Sequence, residues 1–129
     1  MANAQHFHPD GLHDSRARFS HAVKAGTTVY LAGQTGSDAE GNVVGKDDFE
    51  AQARQVLLNL QTAVRAAGGE LSDIVSWKIY VTDREFGARL APVRREFLTE
   101  DLPAATLLVV AGLASPDFLI EIDAIAIVP

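Results

Sequence analysis

One stretch limits the folds open to this chain more than any other. Phe49, Ala53, Val56, Leu57, Leu60 and Val64 recur at spacings of three and four, which draws a single apolar stripe along one helix. Asp47 or Asp48 can cap its first free amides, and Gly68-Gly69 supplies the left-handed stop. Such a stripe must be buried against another layer, and the segments around it read as strands. Before it, a short strand from Phe19 to Lys24 breaks at Ala25-Gly26, and Thr27 to Ala32 is its hairpin partner. Val43-Val44, in the loop Asp38 to Gly45, is a candidate edge strand. After it come strands at Ile74 to Thr82, Thr106 to Leu113 and Phe118 to Val128. A second helix is predicted over about Arg84 to Thr99; because proline disrupts a helix interior, Pro92 splits it into a single turn near Phe86 and a helix proper from Ala91. The pattern predicts one α+β domain across residues 1–129, a mixed sheet with its helices on one face.

Composition narrows the functions. A chain of 129 residues fits one core, and zero cysteines exclude disulfide scaffolds, thiolate catalysis and cysteine zinc sites. A formal charge of −6 is the wrong footprint for general nucleic-acid binding. The longest apolar run, Leu102 to Leu113, contains Pro103, Thr106 and Gly112 and falls short of the roughly 20 residues of a membrane span. The N-terminus lacks the basic segment and apolar core of a signal peptide. A soluble, cytoplasmic domain is expected.

The alternation of the later strands singles out one carboxylate. Ile74, Ser76, Lys78 and Tyr80 share one face of their strand, with Val75, Trp77, Ile79 and Val81 on the other. In the last strand Ile120, Ile122, Ala124 and Ala126 oppose Leu119, Glu121, Asp123, Ile125 and Ile127. Glu121 therefore stands where an apolar residue would be expected. Half-buried, it would have a raised pKa and suit general acid or base work; on a solvated face, beside Asp123, it would be an ordinary carboxylate. The alternation leaves both readings open. His6, His8 and His13 lie in an irregular, polar first segment containing the turn Pro9-Asp10-Gly11, and His21 lies in a strand. No third ligand is fixed at a supporting spacing, so no metal site is expected. Thr35 and Ser37, beside glycines, form either a small anion nest or a plain turn. Arg94-Arg95 reads as a solvated helix face.

Several short motifs, taken in order, carry a resemblance. They are Pro9-Asp10-Gly11-Leu12, Phe19-Ser20-His21-Ala22-Val23-Lys24-Ala25-Gly26, Leu31-Ala32-Gly33-Gln34, and Gln52-Ala53-Arg54-Gln55 with Asn59-Leu60. Val81-Thr82-Asp83, Pro103-Ala104-Ala105-Thr106 and the run Ile120 to Ala126 complete the set. From about His8 to Val128 the chain resembles the RidA/YjgF family, whose best-known members hydrolyse reactive enamines and imines. The resemblance implies a chorismate-mutase-like fold. Three subunits would join their sheets in a central barrel, and active clefts would lie between neighbours. It implies a small-molecule ligand at the subunit interface, no cofactor, no nucleic acid and no membrane.

Residue by residue, Glu121 falls on the family's water-positioning glutamate and Gly33 on its cleft-lining glycine. Three positions depart from the pattern. Ala105 stands where deaminating members carry a substrate-gripping arginine, Phe19 where a tyrosine lines the pocket, and Leu90 where an asparagine stands. Bonds to charged groups contribute about 1.5–3 kcal/mol each, so a loss of roughly 3 kcal/mol would weaken carboxylate binding about a hundredfold. The usual deamination of 2-imino acids is therefore in doubt, and Arg18 and Arg89 are the candidates to replace the missing cation. The departures leave two expectations: a hydrolase of C=N compounds, or a non-catalytic trimeric protein that binds a small molecule in a regulatory role. Ribonuclease activity, a label sometimes attached to the family, is disfavoured by the acidic charge.

Overall fold

A computed structural model describes residues 3–129. Its strands and α-helices run in the order β1 (Ala4–Phe7), β2 (Ala22–Ala25), β3 (Thr28–Gln34), α1 (Phe49–Ala66), β4 (Ile74–Val81), α2 (Phe86–Arg94), β5 (Ala104–Val109) and β6 (Ile120–Ile127). The strands form one sheet in the order β1-β2-β3-β6-β4-β5. All neighbours are antiparallel except β4 and β5, whose parallel pairing requires the crossover that α2 provides. The last strand thus inserts between β3 and β4, in the interior of the sheet.

The core forms where the α1 stripe meets one sheet face. Asp48 accepts a hydrogen bond from the Ala51 amide at 3.1 Å to start the helix, and Gly68, at φ +90°, ends it. Phe49, Ala53, Val56, Leu57, Leu60 and Val64 are buried against Val29, Leu31, Ile120, Ile122 and Ala126. Gly26, at φ +63°, opens the two-residue loop joining β2 and β3. The opposite sheet face is uncovered: Tyr30, Ile125 and Ile127 are all more than a third exposed.

Five expectations are corrected. The irregular first segment contains β1, which pairs Ala4–Phe7 with Ala22–Ala25 and takes the sheet edge. Phe19 and Ser20 lie in a turn before β2 rather than in the strand. In β4 a bulge at Val75 shifts the register, so Ile74 turns into the core with Trp77 while Val75 is 48% exposed. The second helix is continuous from Phe86 to Arg94 through Pro92, whose position is solvent-exposed; the proline removes one backbone donor without a clash in the core. Val43 makes only an isolated bridge to Ser37.

Candidate functional site

Glu121 owes its surroundings to the strand order. On one side, β4 places Tyr80 opposite it; on the other, β3 carries an extra residue between Leu31 and Gln34. That bulge contains Gly33, and a Cβ on Gly33 would collide with the Glu121 carboxylate and stand 2.9 Å from its Cδ. The glycine therefore makes the space in which the acid lies. Glu121 is half-buried, and its carboxyl is held above the ordinary range, first by desolvation and then by the charge of Asp123. Asp123 is in turn fixed by the Tyr80 hydroxyl, which donates to Oδ2 at 2.8 Å; that bond keeps the phenol protonated beyond its usual pKa.

Buried polar side chains on α1 and β3 hold the loops around this acid. Gln52 donates to Asp117 O at 2.7 Å and to Gly45 O at 3.2 Å, and accepts from the Leu119 amide at 2.9 Å. It thus anchors the turn that leads into β6. Asn59 donates to Thr35 O at 3.1 Å and Ser37 O at 2.8 Å, with Gln55 donating to its Oδ1 at 2.8 Å. His21 is buried; its Nε2 donates to His13 O at 2.8 Å while Nδ1 accepts from Gln34 Nε2 at 3.0 Å. Both ring nitrogens are satisfied in the neutral form, and burial depresses the pKa accordingly. A tight turn from Ser15, whose hydroxyl donates to Phe19 O at 2.8 Å, presents Arg18 and Phe19.

These parts surround an open cavity of about 340 Å³. Of the sequence-predicted residues, Glu121, Gly33 and Phe19 line it together, joined by Thr35, Ser37 and Arg18. Leu90 and Ala105 do not. They lie in a second cavity of about 260 Å³ between α2 and the β5 edge, walled by Trp77, Pro103 and Leu107. Sequence reasoning weighed His13 only as a metal ligand, whereas it lines the first cavity, and did not single out Gln52 and Asn59 as loop holders. A buried amide three or four residues from apolar stripe positions was the available signal for the last two. Arg89 is excluded from both cavities, because it donates to both oxygens of Glu50 at 2.7 and 2.8 Å and packs over Phe49 and Phe86. Among the described residues no group of three or more histidines and carboxylates is placed to hold a metal ion, and no helix is long and apolar enough to cross a membrane.

A sheet backed by two helices, with a half-buried glutamate facing a cavity beside a bulge glycine, defines a class that comparison with known proteins identifies. A family profile described as Endoribonuclease L-PSP matches residues 12–128. A RutC family protein of Pyrococcus horikoshii is 37% identical over 84% of this chain and 85% of its own. RidA from the Antarctic bacterium Psychrobacter superposes with a TM-score of 0.89 at 35% identity, covering 96% of this chain and 99% of that one. TdcF of E. coli, solved with bound serine, superposes with a TM-score of 0.88 at 26% identity, over 97% and 99% of the two chains. The chain belongs to the RidA/YjgF family, the Endoribonuclease L-PSP group.

Proposed function

We propose that this protein hydrolyses the C=N bond of small enamine- or imine-type metabolites in a cleft that a neighbouring copy completes. The observation that carries the reading is Glu121, a half-buried carboxylate with a raised pKa, seated over Gly33 and facing a cavity. A carboxyl tuned upward can take a proton from water as the oxygen attacks the imine carbon. Glu121 returns that proton to the nitrogen, and the resulting carbinolamine gives up its hydroxyl proton to the leaving nitrogen as the C–N bond breaks, yielding a carbonyl and the free amine; an enamine enters the same path after a proton adds at its carbon to give the imine. Backbone amides near Gly33, and near Ala105 of the neighbouring copy, steady the developing charge.

The reading carries with it a cytoplasmic homotrimer. Support comes from the apolar sheet face left open at Tyr30, Ile125 and Ile127, and from the separation of Leu90 and Ala105 from the Glu121 cavity in a single chain. A neighbour would bring the second set to the first. Ala105 offers no cation to a small 2-imino acid, so the preferred substrate differs from that of deaminating relatives. The formal charge of −6 favours a small metabolite over an RNA backbone.

The test supplies purified protein with a panel of cyclic and acyclic imines and follows carbonyl formation. Turnover is expected in the wild type and lost in Glu121→Gln; equal turnover in the two removes Glu121 from the chemistry. A second reading, a trimer that binds a small molecule without reacting, is favoured by the apolar walls around Leu90 and Ala105. Thermal stabilisation by a metabolite that mass spectrometry recovers unchanged would select it.

A further inference from the structure

We infer that His13 is the second proton carrier of the Glu121 cavity and moves the carbinolamine's hydroxyl proton to the leaving nitrogen. The inference rests on the hydrolase reading above, in which Glu121 moves the first proton and no group is assigned to the second. A direct shift between an oxygen and a nitrogen on one carbon closes a strained four-membered ring. A side chain that exchanges protons with both atoms avoids it. The residues lining the cavity leave one choice besides Glu121. Arg18 keeps its protons, and the Thr35 and Ser37 hydroxyls stay protonated at neutral pH. Imidazole is the side chain that takes and gives a proton there, and His13 lines the cavity. In the step, the neutral ring takes the hydroxyl proton to leave an alkoxide, and the imidazolium passes a proton to the nitrogen. The alkoxide pair then forms the C=O bond as the C–N pair departs with the nitrogen. The amine leaves, and His13 is neutral again.

The fold fixes this imidazole in place. Leu12 before it and Ser15 after it are buried, and the His13 carbonyl accepts from the buried His21 Nε2 at 2.8 Å. Its ring stands edge-on to His21 with centroids 4.8 Å apart, and to Phe19 at 6.1 Å. Both ring nitrogens of His21 are committed to hydrogen bonds, and so is Nδ1 of His6. Among the described residues the His13 ring has no such partner, which leaves its nitrogens to a ligand or to solvent. His13 comes from the connection between β1 and β2, and Glu121 from β6, with β3 between β2 and β6 in the sheet. Carriers that reach one cavity from either side of β3 let both proton transfers proceed without the substrate turning round. His13 also lines a neighbouring cavity of about 220 Å³, together with His8, Asp10, Asp14 and Arg16. There the Nδ1 of His8 is buried without a hydrogen-bond partner among the described residues, which in a polar space of this size calls for water. The imidazole thus stands between the reaction cavity and a polar one open to proton exchange, and recovers there the proton that an amine released as ammonium carries away.

The experiment follows imine loss and amine release on the full chain for wild type, His13→Ala, His13→Gln and His6→Ala, with thermal melts confirming that each is folded. His6 lies on β1 outside both cavities and serves as the control. Both His13 variants are expected to slow turnover about a hundredfold, as loss of a general acid–base group does, while His6→Ala matches wild type. Added imidazole restores turnover in His13→Ala, where it fills the space the ring has left. It does not restore Glu121→Gln, which also reports the background catalysed by imidazole alone. A ring that merely held the cavity walls would not be replaced by a free base in this way. Wild-type turnover in His13→Gln, or a deficit in His13→Ala that imidazole leaves untouched, overturns the inference; with Glu121→Gln inactive, the hydrolase reading then stands without it. Absence of imine turnover in the wild type removes both.

Discussion

The backbone of Gly33 lies against the Glu121 carboxylate so closely that a single added carbon would stand 2.9 Å from its Cδ. The atoms in conflict are the far end of a flexible side chain, and the backbone at Gly33 is not in the left-handed region. Gly33→Ala should therefore leave stability within about 1 kcal/mol of wild type, as accommodated glycine substitutions do. It should lower imine turnover tenfold or more by turning the acid out of place. Turnover measured beside a thermal melt checks both; full activity in a folded variant would detach Gly33 from the site.

The raised pKa of Glu121 makes a signed statement about stability. Folding favours its protonated form, so the associated stability is present below the unfolded carboxylate value near 4.5 and is lost as pH rises through the folded value. Glu121→Gln removes the titration. The variant should match wild type near pH 4 and melt at a higher temperature near pH 7, with the gap opening across the carboxylate range. A gap that widens toward acid instead would contradict the burial of this acid.

His21 titrates in the other sense. Burial lowers its folded pKa, so the unfolded chain takes up a proton first, near 6.5, and stability present above that value falls as pH drops toward the folded pKa. Urea unfolding of the wild type should weaken between pH 6.5 and pH 5. His21→Gln should lose that dependence, and at pH 8 should cost about 1–3 kcal/mol for the disturbed bonds to His13 O and Gln34.

Gln52 joins α1 to the strand that carries Glu121. Gln52→Leu leaves the Leu119 amide and the Asp117 and Gly45 carbonyls without their side-chain partner. A fully buried orphaned group costs about 1–3 kcal/mol, and because these three are only part-buried a total loss of about 2–5 kcal/mol is expected in denaturant unfolding. Catalysis should fall further than the unfolded fraction explains, because the turn entering β6 is released. Gln52→Glu, which retains the acceptor for Leu119, should recover part of the activity.

By contrast, the exposed ion pairs joining α1 to α2 and to the turn after it should matter little. Arg54→Ala and Arg89→Ala each break a two-pronged contact, with Glu96 and Glu50, on side chains more than two-fifths exposed. Solvent-screened pairs of this kind contribute little to stability, and 0.5 M salt should reduce the difference further. A larger loss for Arg89→Ala would point to its packing over Phe49 and Phe86 rather than to its charge.

Local signals made much of the framework legible. The α1 stripe, its aspartate cap and its glycine stop follow from spacing, and the alternation in β6 already set Ile120 and Ile122 against Glu121. β1 was hidden because four half-exposed residues carry almost no periodic signal. The Val75 bulge and the passage of α2 through Pro92 escaped for a related reason: each is a departure from regular geometry that neighbouring elements decide.

Sequence by itself determined the layered fold, the family, and Glu121 as the carboxylate to examine. Whether that carboxylate met solvent or a cavity depended on β6 inserting between β3 and β4, a pairing between segments far apart in the chain. Only the tertiary structure separated Leu90 and Ala105 from Glu121, Gly33 and Phe19. It also told the two arginines apart: Arg89 is bound to Glu50, while Arg18 lines the cavity with Glu121. Periodicity fixes which face a residue takes, but burial and charge pairing depend on what the rest of the chain brings to that face.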